Sequence, residues 1–282
     1  TTTRPAFAQQ NFDMSKYLYQ NIFDRNGEEH LSVGEIYRIV KVQHSAIQNA
    51  RNFTYLGDPA IKLAIPKHRV VTSSINGKPL SAIDTLKALS KVTISGYIAD
   101  YSTGQKMTDF NGTVYPTVFD KKKKVFTLNN SGVGPFPYDV RDSRLFNGKA
   151  SVKNGEFSFS FVVPKDIAYE VGEGKITYYA TDSRTDANGY TRSLLIGGSN
   201  DSALSDNAGP EMQLYLNSPD FIYGGMTSEN PTVIIELEDE LGINTIGNGI
   251  GHDIIMTIDG NSEEAIVLNE YYEAEEDSYR KG

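Results

Sequence analysis

The hydrophobic pattern changes its period near residue 67, and this change limits the folds open to the chain. Before it, apolar residues recur at helical spacing, as at Met14, Leu18 and Ile22. From Val70 onward, apolar and polar residues alternate with a period of two, as along half-buried β-strands. The boundary lies in the segment LGDPAIKLAIPKHR, residues 56–69, whose two prolines favour an extended connection between two kinds of structure.

Residues 1–66 predict two helices and one short strand. The first helix lies in NFDMSKYLYQNIFDRNG and is expected to end at Asn26-Gly27. The second begins at a capping box formed by Ser32 and Glu35, and NFTYL (52–56) predicts a short buried strand. Two helices and one strand bury little by themselves, so this region predicts the closing part of an α/β domain whose sheet lies elsewhere.

The remaining chain predicts antiparallel β-structure. Asn111-Gly112, Asn147-Gly148 and Asn154-Gly155 are strong turn signals between alternating segments. The clearest of these segments are KVTISGYIAD (91–100), GTVYPTVFD (112–120), KVFTLNN (124–130), KASVKNGEFSFSFVVP (149–164) and GKITYYATD (174–182). They predict an immunoglobulin-like β-sandwich over residues 67–204, with a helical excursion at 81–89. The stretch 196–212 has a linker composition, and four further strand patterns predict a second, incomplete sandwich over 205–282.

Composition excludes several classes of function. The chain has 27 basic and 36 acidic residues, a net charge of −9, which argues against a nucleic-acid partner. It has no cysteine, which excludes disulfides and a thiol nucleophile within these residues. No apolar run approaches the roughly 20 residues of a membrane-spanning helix. The first residues, TTTRPAFAQQ, lack a signal-peptide pattern and an initiator methionine, so an internal fragment is expected.

The four histidines are weak candidates for chemistry. They lie at a turn, on a helix, at the domain junction and at a strand start: His30, His44, His68 and His252. No pair has a metal-ligand spacing such as HExxH, and none has a general-base partner at motif spacing. Structural roles are therefore predicted for all four, and no metal or cofactor is expected.

A glycine-rich stretch and a group of carboxylates raise two further possibilities. GNGIGHD (247–253) resembles a phosphate loop, but a strand pattern follows it where a helix is required, which favours a hairpin connection. Glu238, Asp239 and Asp253 would offer oxygen ligands to a hard cation, although their spacing matches no EF-hand loop. KKKK (121–124) offers charges to anionic polysaccharide or lipid headgroups, and the acidic stretch YYEAEED (271–277) offers partner contacts, but the favoured interpretation of both is a solvated turn or loop.

Several blocks together resemble one known family. They are TTTRPAF, LSVGEIYRIVK, NFTYLGDPAIKLAIPK, FNGTVYPTVFDK, LFNGKASVKNGEFSFSFVVPKDIAY, DNAGPEMQLYLN and GINTIGNGIGHDI. In this order they resemble the type IX secretion sortases of Bacteroidota, a branch of the gingipain-like cysteine peptidases (family C25). The resemblance runs along essentially the whole chain. It implies that residues 1–66 close a caspase-like peptidase domain, so that the predicted fold is a C-terminal remnant of an α/β caspase-like domain followed by two mainly antiparallel immunoglobulin-like sandwiches.

The resemblance also implies a function. Such enzymes act on the extracellular face of the outer membrane, where a cysteine thiolate and a histidine cleave the C-terminal sorting domain from secreted cargo. The cargo is then transferred to an anionic lipopolysaccharide acceptor. The implied partners are type IX cargo with its sorting domain, an outer-membrane barrel protein of the secretion machinery, and that lipopolysaccharide.

The chain departs from the family at the catalytic residues. In the family both the cysteine and the histidine precede the block matched here by TTTR, so no catalytic residue is predicted in this chain. The strand ends of open α/β sheets form the ligand crevice, and Thr3 and Arg4 are therefore predicted to line the wall of the substrate pocket. The alternative for these two residues is a loop without a role in binding.

Two other functions remain open from the sequence. A non-enzymatic β-sandwich adhesin or glycan-binding protein would explain residues 67–282, but it would not explain two amphipathic helices without a sheet. A C25 peptidase with a different substrate would explain residues 1–66, but it would not need the blocks beyond residue 200.

Overall fold

A computed structural model describes residues 7–23, 25–26, 29–200, 208–246 and 253–282. The chain divides into two units, Thr1–Lys67 and His68–Gly282, which are called here the N-terminal unit and the barrel unit. The domain division predicted at residue 204 lies outside the described residues. Within the described residues, no helix has both the length and the apolar character needed to cross a membrane.

The N-terminal unit is built from short helices around a small apolar core. Its elements are α1 (Ala8–Asn21), β1 (Arg25–Asn26), β2 (Glu29–His30), α2 (Val33–Gln43) and α3 (Gln48–Asn52). The core consists of buried Met14, Val40 and Ala50, with Tyr17 and Ile47 packed against them. β1 and β2 pair with each other, and no strand forms at 52–56, where α3 ends at Asn52 and residues 54–56 are irregular.

The predicted capping box at the start of α2 is confirmed. The Glu35 backbone N–H donates to Ser32 Oγ at 3.3 Å, and the Ser32 N–H donates to the Glu35 carboxylate at 2.9 Å. The Ser32 N–H and hydroxyl both donate to the Glu35 carboxylate, and these bonds hold the pKa of Glu35 below its usual value. The reciprocal pair satisfies N–H groups that a helix terminus leaves without intrahelical partners.

The barrel unit is almost entirely β-structure. Its strands are β3 (His68–Ile75), β4 (Lys78–Pro79), β5 (Leu86–Ala88), β6 (Lys91–Ala99), β7 (Gly112–Phe119), β8 (Lys123–Phe126), β9 (Pro137–Val140), β10 (Arg144–Lys153), β11 (Glu156–Val162), β12 (Gly172–Glu173), β13 (Lys175–Thr181), β14 (Asp186–Thr191), β15 (Leu195–Ser199), β16 (Glu211–Leu216), β17 (Val233–Glu238), β18 (Ile255–Met256), β19 (Ile266–Val267) and β20 (Ala274–Glu276), with a 3-10 turn at Ser262–Glu264. The helix predicted at 81–89 is wrong, because strand β5 occupies its second half.

Seven of these strands close into a barrel in the order β11-β6-β3-β14-β13-β7-β10, and β10 then pairs with β11. All neighbours are antiparallel except β14 and β3, which are parallel from Ala187 opposite His68. β10 and β11 meet at the Asn154-Gly155 turn, where positive φ angles of 52° and 76° give the primed geometry that hairpins prefer. The β10–β11 pairing therefore forms at one of the Asn-Gly turn signals of the sequence.

The barrel interior is apolar and closely packed. Phe146 stacks on Phe159 and Phe161 at centroid distances of 5.5 and 5.4 Å, and Tyr178 lies against Phe157 at 5.7 Å. One polar pair is enclosed with them, the Tyr178 hydroxyl and Thr72 Oγ1 at 2.7 Å. Burial raises the pKa of Tyr178 well above its ordinary value.

The predicted fold class is wrong. In place of an α/β remnant followed by two immunoglobulin-like sandwiches, the molecule is mostly β, with one closed barrel and few helices. Alternation shows that each strand has one buried face, but the same period serves a sandwich and a barrel. The difference lies in long-range pairings such as β14 with β3, which leave no local signal in the sequence.

Candidate functional site

The segment that follows α3 folds back onto the start of α2. The Gly34 N–H donates to the Pro59 carbonyl at 2.9 Å, and the Val33 N–H donates to the Ile61 carbonyl at 2.8 Å. A side chain at Gly34 would meet the Pro59 Cβ at 2.5 Å, so the close approach requires glycine. Residues 56–62 are thus part of the N-terminal unit and cap one of its helices.

A buried asparagine joins α1 to α3. The Asn49 side chain accepts from the Phe7 N–H at 3.2 Å and donates to the Phe7 carbonyl and to Asn11 Oδ1, both at 2.8 Å. The Asn49 backbone N–H donates to Gln10 Oε1 at 2.9 Å. Since Asn49 is fully buried, these bonds stabilise the unit by satisfying polar groups that water cannot reach.

A cleft of about 310 Å³ opens in the barrel unit between β10, β11 and the turn around residues 239–245. Its walls include Phe146, Phe161 and Tyr272, and a bond from Asn244 Nδ2 to the Asp166 carboxylate at 2.7 Å crosses its side. Burial, together with the charges of nearby carboxylates, raises the pKa of Tyr272 to about 12. The Tyr272 hydroxyl therefore stays protonated at neutral pH, and the cleft offers hydrogen bonding and apolar contact.

The middle of the acidic stretch 271–277 forms the short strand β20, where the sequence predicts a solvated loop. β20 pairs in parallel with β10, with Ala274 opposite Gly148, and a side chain at Gly148 would meet the Ala274 Cβ at 2.8 Å. Asn147-Gly148 is therefore a close-approach site inside β10, and the turn predicted there is wrong. Glu273 pairs with Lys149 at 2.6 Å, and this bond raises the pKa of Lys149.

The candidate residues from the sequence do not converge in the described structure. Thr3, Arg4 and His252 lie outside the described residues, so the pocket wall stays a prediction. His44 stacks on Tyr17 with ring centroids 3.3 Å apart, a packing contact on a helix end. His30 lies in β2 and His68 begins β3, both within backbone pairing.

The carboxylates proposed for a cation are separately engaged. Glu238 pairs with Lys281 at 2.9 Å, Asp239 accepts from the Leu241 N–H at 2.7 Å, and Asp253 accepts from Asn269 Nδ2 at 3.1 Å. In the described ranges, no group of three or more histidine or acidic side chains is placed to hold a metal ion. Most of the glycine-rich stretch 247–253 lies outside those ranges.

Comparisons with known proteins find matches in both units. Residues 1–64 match the model of peptidase family C25. The crystal structure of dimeric latent PorU from Porphyromonas gingivalis is 30% identical and matches 92% of this chain and 25% of that chain, with a TM-score of 0.54. The chain is a PorU-like protein of family C25. This family relationship confirms the resemblance predicted from the sequence blocks.

The chain spans about a quarter of the length of the PorU structure. The sporulation control protein Spo0M from Bacillus subtilis is 13% identical over 46% of this chain and 49% of that chain, with a TM-score of 0.30. A search of curated proteins finds no match. Within the PorU-like family, the C25 portion falls in the N-terminal unit and the remaining match falls in the barrel unit.

Proposed function

We propose that the chain forms part of a cell-surface cysteine peptidase that acts as a type IX secretion sortase. The observation that carries this proposal is the match to PorU through both units, together with the C25 match of residues 1–64. A peptidase-family match in the N-terminal unit also counts against the adhesin alternative, which assigns no role to that unit.

In this proposal the reaction occurs on residues outside the chain. A cysteine thiolate attacks the carbonyl before the sorting domain, and the leaving amine takes a proton from a histidine. An amine of an anionic lipopolysaccharide then attacks the thioester, forms an amide with the cargo and releases the thiolate. Type IX cargo and an outer-membrane barrel protein are the proposed partners, on the extracellular face of the outer membrane. Thr3 and Arg4 are proposed to line the substrate pocket.

The barrel unit is proposed to act without catalysis, as a docking module or a spacer for the peptidase. The chain has no cysteine to supply a thiolate, and the described cleft is lined by apolar side chains together with Lys165, Asp166 and Asp239. Its polar walls are suited to holding a peptide or a neighbouring domain rather than to forming or breaking bonds.

The test is made in the producing bacterium, with the full-length protein. The cysteine expected upstream of Thr1 is replaced by alanine, and mass spectrometry follows the C-terminus of a secreted cargo. We expect cargo that keeps its sorting domain and lacks the lipopolysaccharide-linked form. Arg4→Ala is expected to slow the same processing, with Lys153→Ala, an exposed residue of the barrel unit, as the control. Normal cargo processing in the cysteine variant would refute the proposal.

A further inference from the structure

A two-stranded arm projects from the barrel unit without a core of its own. β8 and β9 pair only with each other, from Lys123 opposite Val140 to Phe126 opposite Pro137. All residues from 121 to 144 are described, and none of them is buried. Because an isolated hairpin is at best marginally stable in water, this arm requires an explanation beyond the packing of the barrel.

The tip of the arm is apolar and fixed in shape. Leu128, Val133 and Phe136 are 87%, 88% and 68% exposed. The Thr127 N–H donates to the Phe136 carbonyl at 3.0 Å, and Asn129 Oδ1 accepts from the Gly134 N–H at 2.7 Å. These bonds hold large apolar side chains in water, where each is unfavourable, so the tip is prepared for an apolar environment.

Basic side chains surround the base of the arm. Between Lys121 and Asp142 there are five basic and two acidic residues, in a chain with 27 basic and 36 acidic residues overall. Lys122 and Lys123 pair with the two aspartates, Asp139 at 3.8 Å and Asp142 at 2.7 Å, and the arm keeps a net charge of +3 on a negative protein. Lys124 and Leu128 are four residues apart, about 13 Å along an extended strand, so the cations lie behind the apolar tip.

We propose that this arm inserts its tip into a lipid bilayer surface that carries anionic headgroups. Interfacial segments bury apolar side chains about 5–10 Å deep, and at that depth Lys122, Lys123 and Lys124 reach the headgroup phosphates. Successive strand residues point to opposite faces, so exposed Phe126 and Tyr138, the latter opposite Val125, present apolar groups on both faces of the ribbon. A bilayer surrounds both faces, whereas a protein surface covers one.

The test is flotation of the purified 282-residue chain with vesicles. One set contains equal phosphatidylglycerol and phosphatidylcholine, and the other contains phosphatidylcholine alone. We expect binding to the anionic vesicles, at least tenfold weaker binding to the neutral ones, and a loss of binding in 1 M salt, where electrostatic attraction is screened.

Three triple variants identify the surface responsible. Leu128→Ser/Val133→Ser/Phe136→Ser is expected to lower the partition coefficient at least tenfold, because the tip can no longer bury apolar groups. Lys122→Gln/Lys123→Gln/Lys124→Gln is expected to lower it about 100-fold on anionic vesicles, since each lysine near such a surface contributes roughly fivefold. The matched control, Ile222→Ser/Tyr223→Ser/Met226→Ser, changes an equally exposed apolar loop outside the arm and should bind as the original chain does.

Two results would overturn the proposal. One is the absence of binding to anionic vesicles by the original chain, and the other is unchanged binding by the tip variant. If the tip variant instead alters self-association in sedimentation, without any vesicle binding, the arm is a protein contact and the bilayer proposal fails. Thermal unfolding of each variant checks that the barrel is intact, which the absence of buried residues in the arm predicts.

Discussion

The two units solve the problem of burial in different ways. In the barrel unit, a continuous apolar interior runs through all seven closed strands and encloses the hydroxyl pair of Tyr178 and Thr72. In the described part of the N-terminal unit, the buried apolar residues are Met14, Ile36, Val40 and Ala50, and a buried asparagine joins its helices through four hydrogen bonds. The barrel is held mainly by packing, and the N-terminal unit depends in addition on a specific polar network.

Large apolar residues remain exposed in both units, and in the N-terminal unit its small size contributes to this exposure. A small unit buries a smaller fraction of its apolar surface than a large one. Accordingly Phe7, Phe12, Phe23 and Leu56 are all exposed in the N-terminal unit, although they are large apolar residues.

The largest expected effect is from truncation of a core aromatic in the barrel. Phe161 is almost fully buried and stacks on Phe146 and Phe159. Phe161→Ala should lower the free energy of unfolding by about 3–5 kcal/mol, because it removes apolar contacts and leaves a cavity. Guanidinium unfolding, followed by the fluorescence of the tyrosines, measures the change.

The matched control is a phenylalanine of the same unit on the exposed arm. Phe126→Ala should change the free energy of unfolding by less than about 0.5 kcal/mol, as is usual for surface positions. Equal losses from Phe161→Ala and Phe126→Ala would show that packing in the barrel interior does not dominate its stability.

The second prediction concerns the polar network of the N-terminal unit. Asn49→Ala leaves the Phe7 N–H and carbonyl without their partners and should cost about 1–3 kcal/mol. Hydrogen exchange of the amides in α1 should accelerate, while that of the barrel strands stays unchanged. Gln48→Ala, an exposed neighbour on the same helix, is the control and should leave exchange in α1 as it was. If the α1 amides of Asn49→Ala exchange as slowly as those of the original chain, the polar network does not stabilise the N-terminal unit, and the contrast between the two units fails on this point.

Local features of the fold were predictable from the sequence, and long-range ones were not. The Ser32–Glu35 capping box and the Asn154-Gly155 hairpin act over three residues or fewer, and both are confirmed. Asn147-Gly148 carries the same signal, yet its glycine serves the approach of β20 from more than 120 residues away. Barrel closure depends on other distant pairings, such as β14 with β3, which the strand period does not reveal.

The candidate site shows the same limit. Thr3 and Arg4 came from a family resemblance and a rule for strand ends, and they stay predictions. Within residues 271–277, the alternation of Tyr272 and Ala274 with acidic residues is a local signal for a strand. No signal in this stretch identifies β10 as its partner strand. In the exposed arm at 121–142, the sequence shows a run of lysines. It does not predict that the apolar tip is exposed, because exposure depends on the tertiary structure.

The third prediction tests the polar pair inside the barrel. Tyr178→Phe leaves Thr72 Oγ1 buried without its 2.7 Å partner and should cost about 1–2 kcal/mol. The double variant Thr72→Val/Tyr178→Phe should recover most of that loss, because both polar groups are then gone. Denaturant unfolding of the two variants measures the difference. If the double variant is no more stable than Tyr178→Phe, the loss of stability does not come from leaving Thr72 Oγ1 without a hydrogen-bond partner.

The same tyrosine predicts a dependence of stability on alkaline pH. Burial raises the pKa of Tyr178 in the folded state above the value near 10 of the unfolded chain. Its contribution is therefore fully present below pH 10 and is lost as the pH rises further, by about 1.4 kcal/mol per pH unit. Tyr178→Phe should flatten this slope in unfolding experiments from pH 9 to 11, and Tyr223→Phe, on an exposed loop, should leave it intact.

The smallest expected effect concerns an ion pair on the barrel surface. Lys106 and Glu156 lie 2.6 Å apart, but their side chains keep 39% and 65% of their exposure. Such pairs gain little in water, since attraction is screened and two long side chains lose freedom, so Glu156→Gln should cost at most about 1 kcal/mol. The cost should disappear in 1 M salt, and Glu229→Gln, an exposed carboxylate in the same unit, is the control. If Glu156→Gln lowers the free energy of unfolding by more than about 2 kcal/mol and the loss persists in salt, surface charges as well as the packed interior stabilise the barrel. The contrast between a packed unit and a hydrogen-bonded one would then no longer describe the molecule.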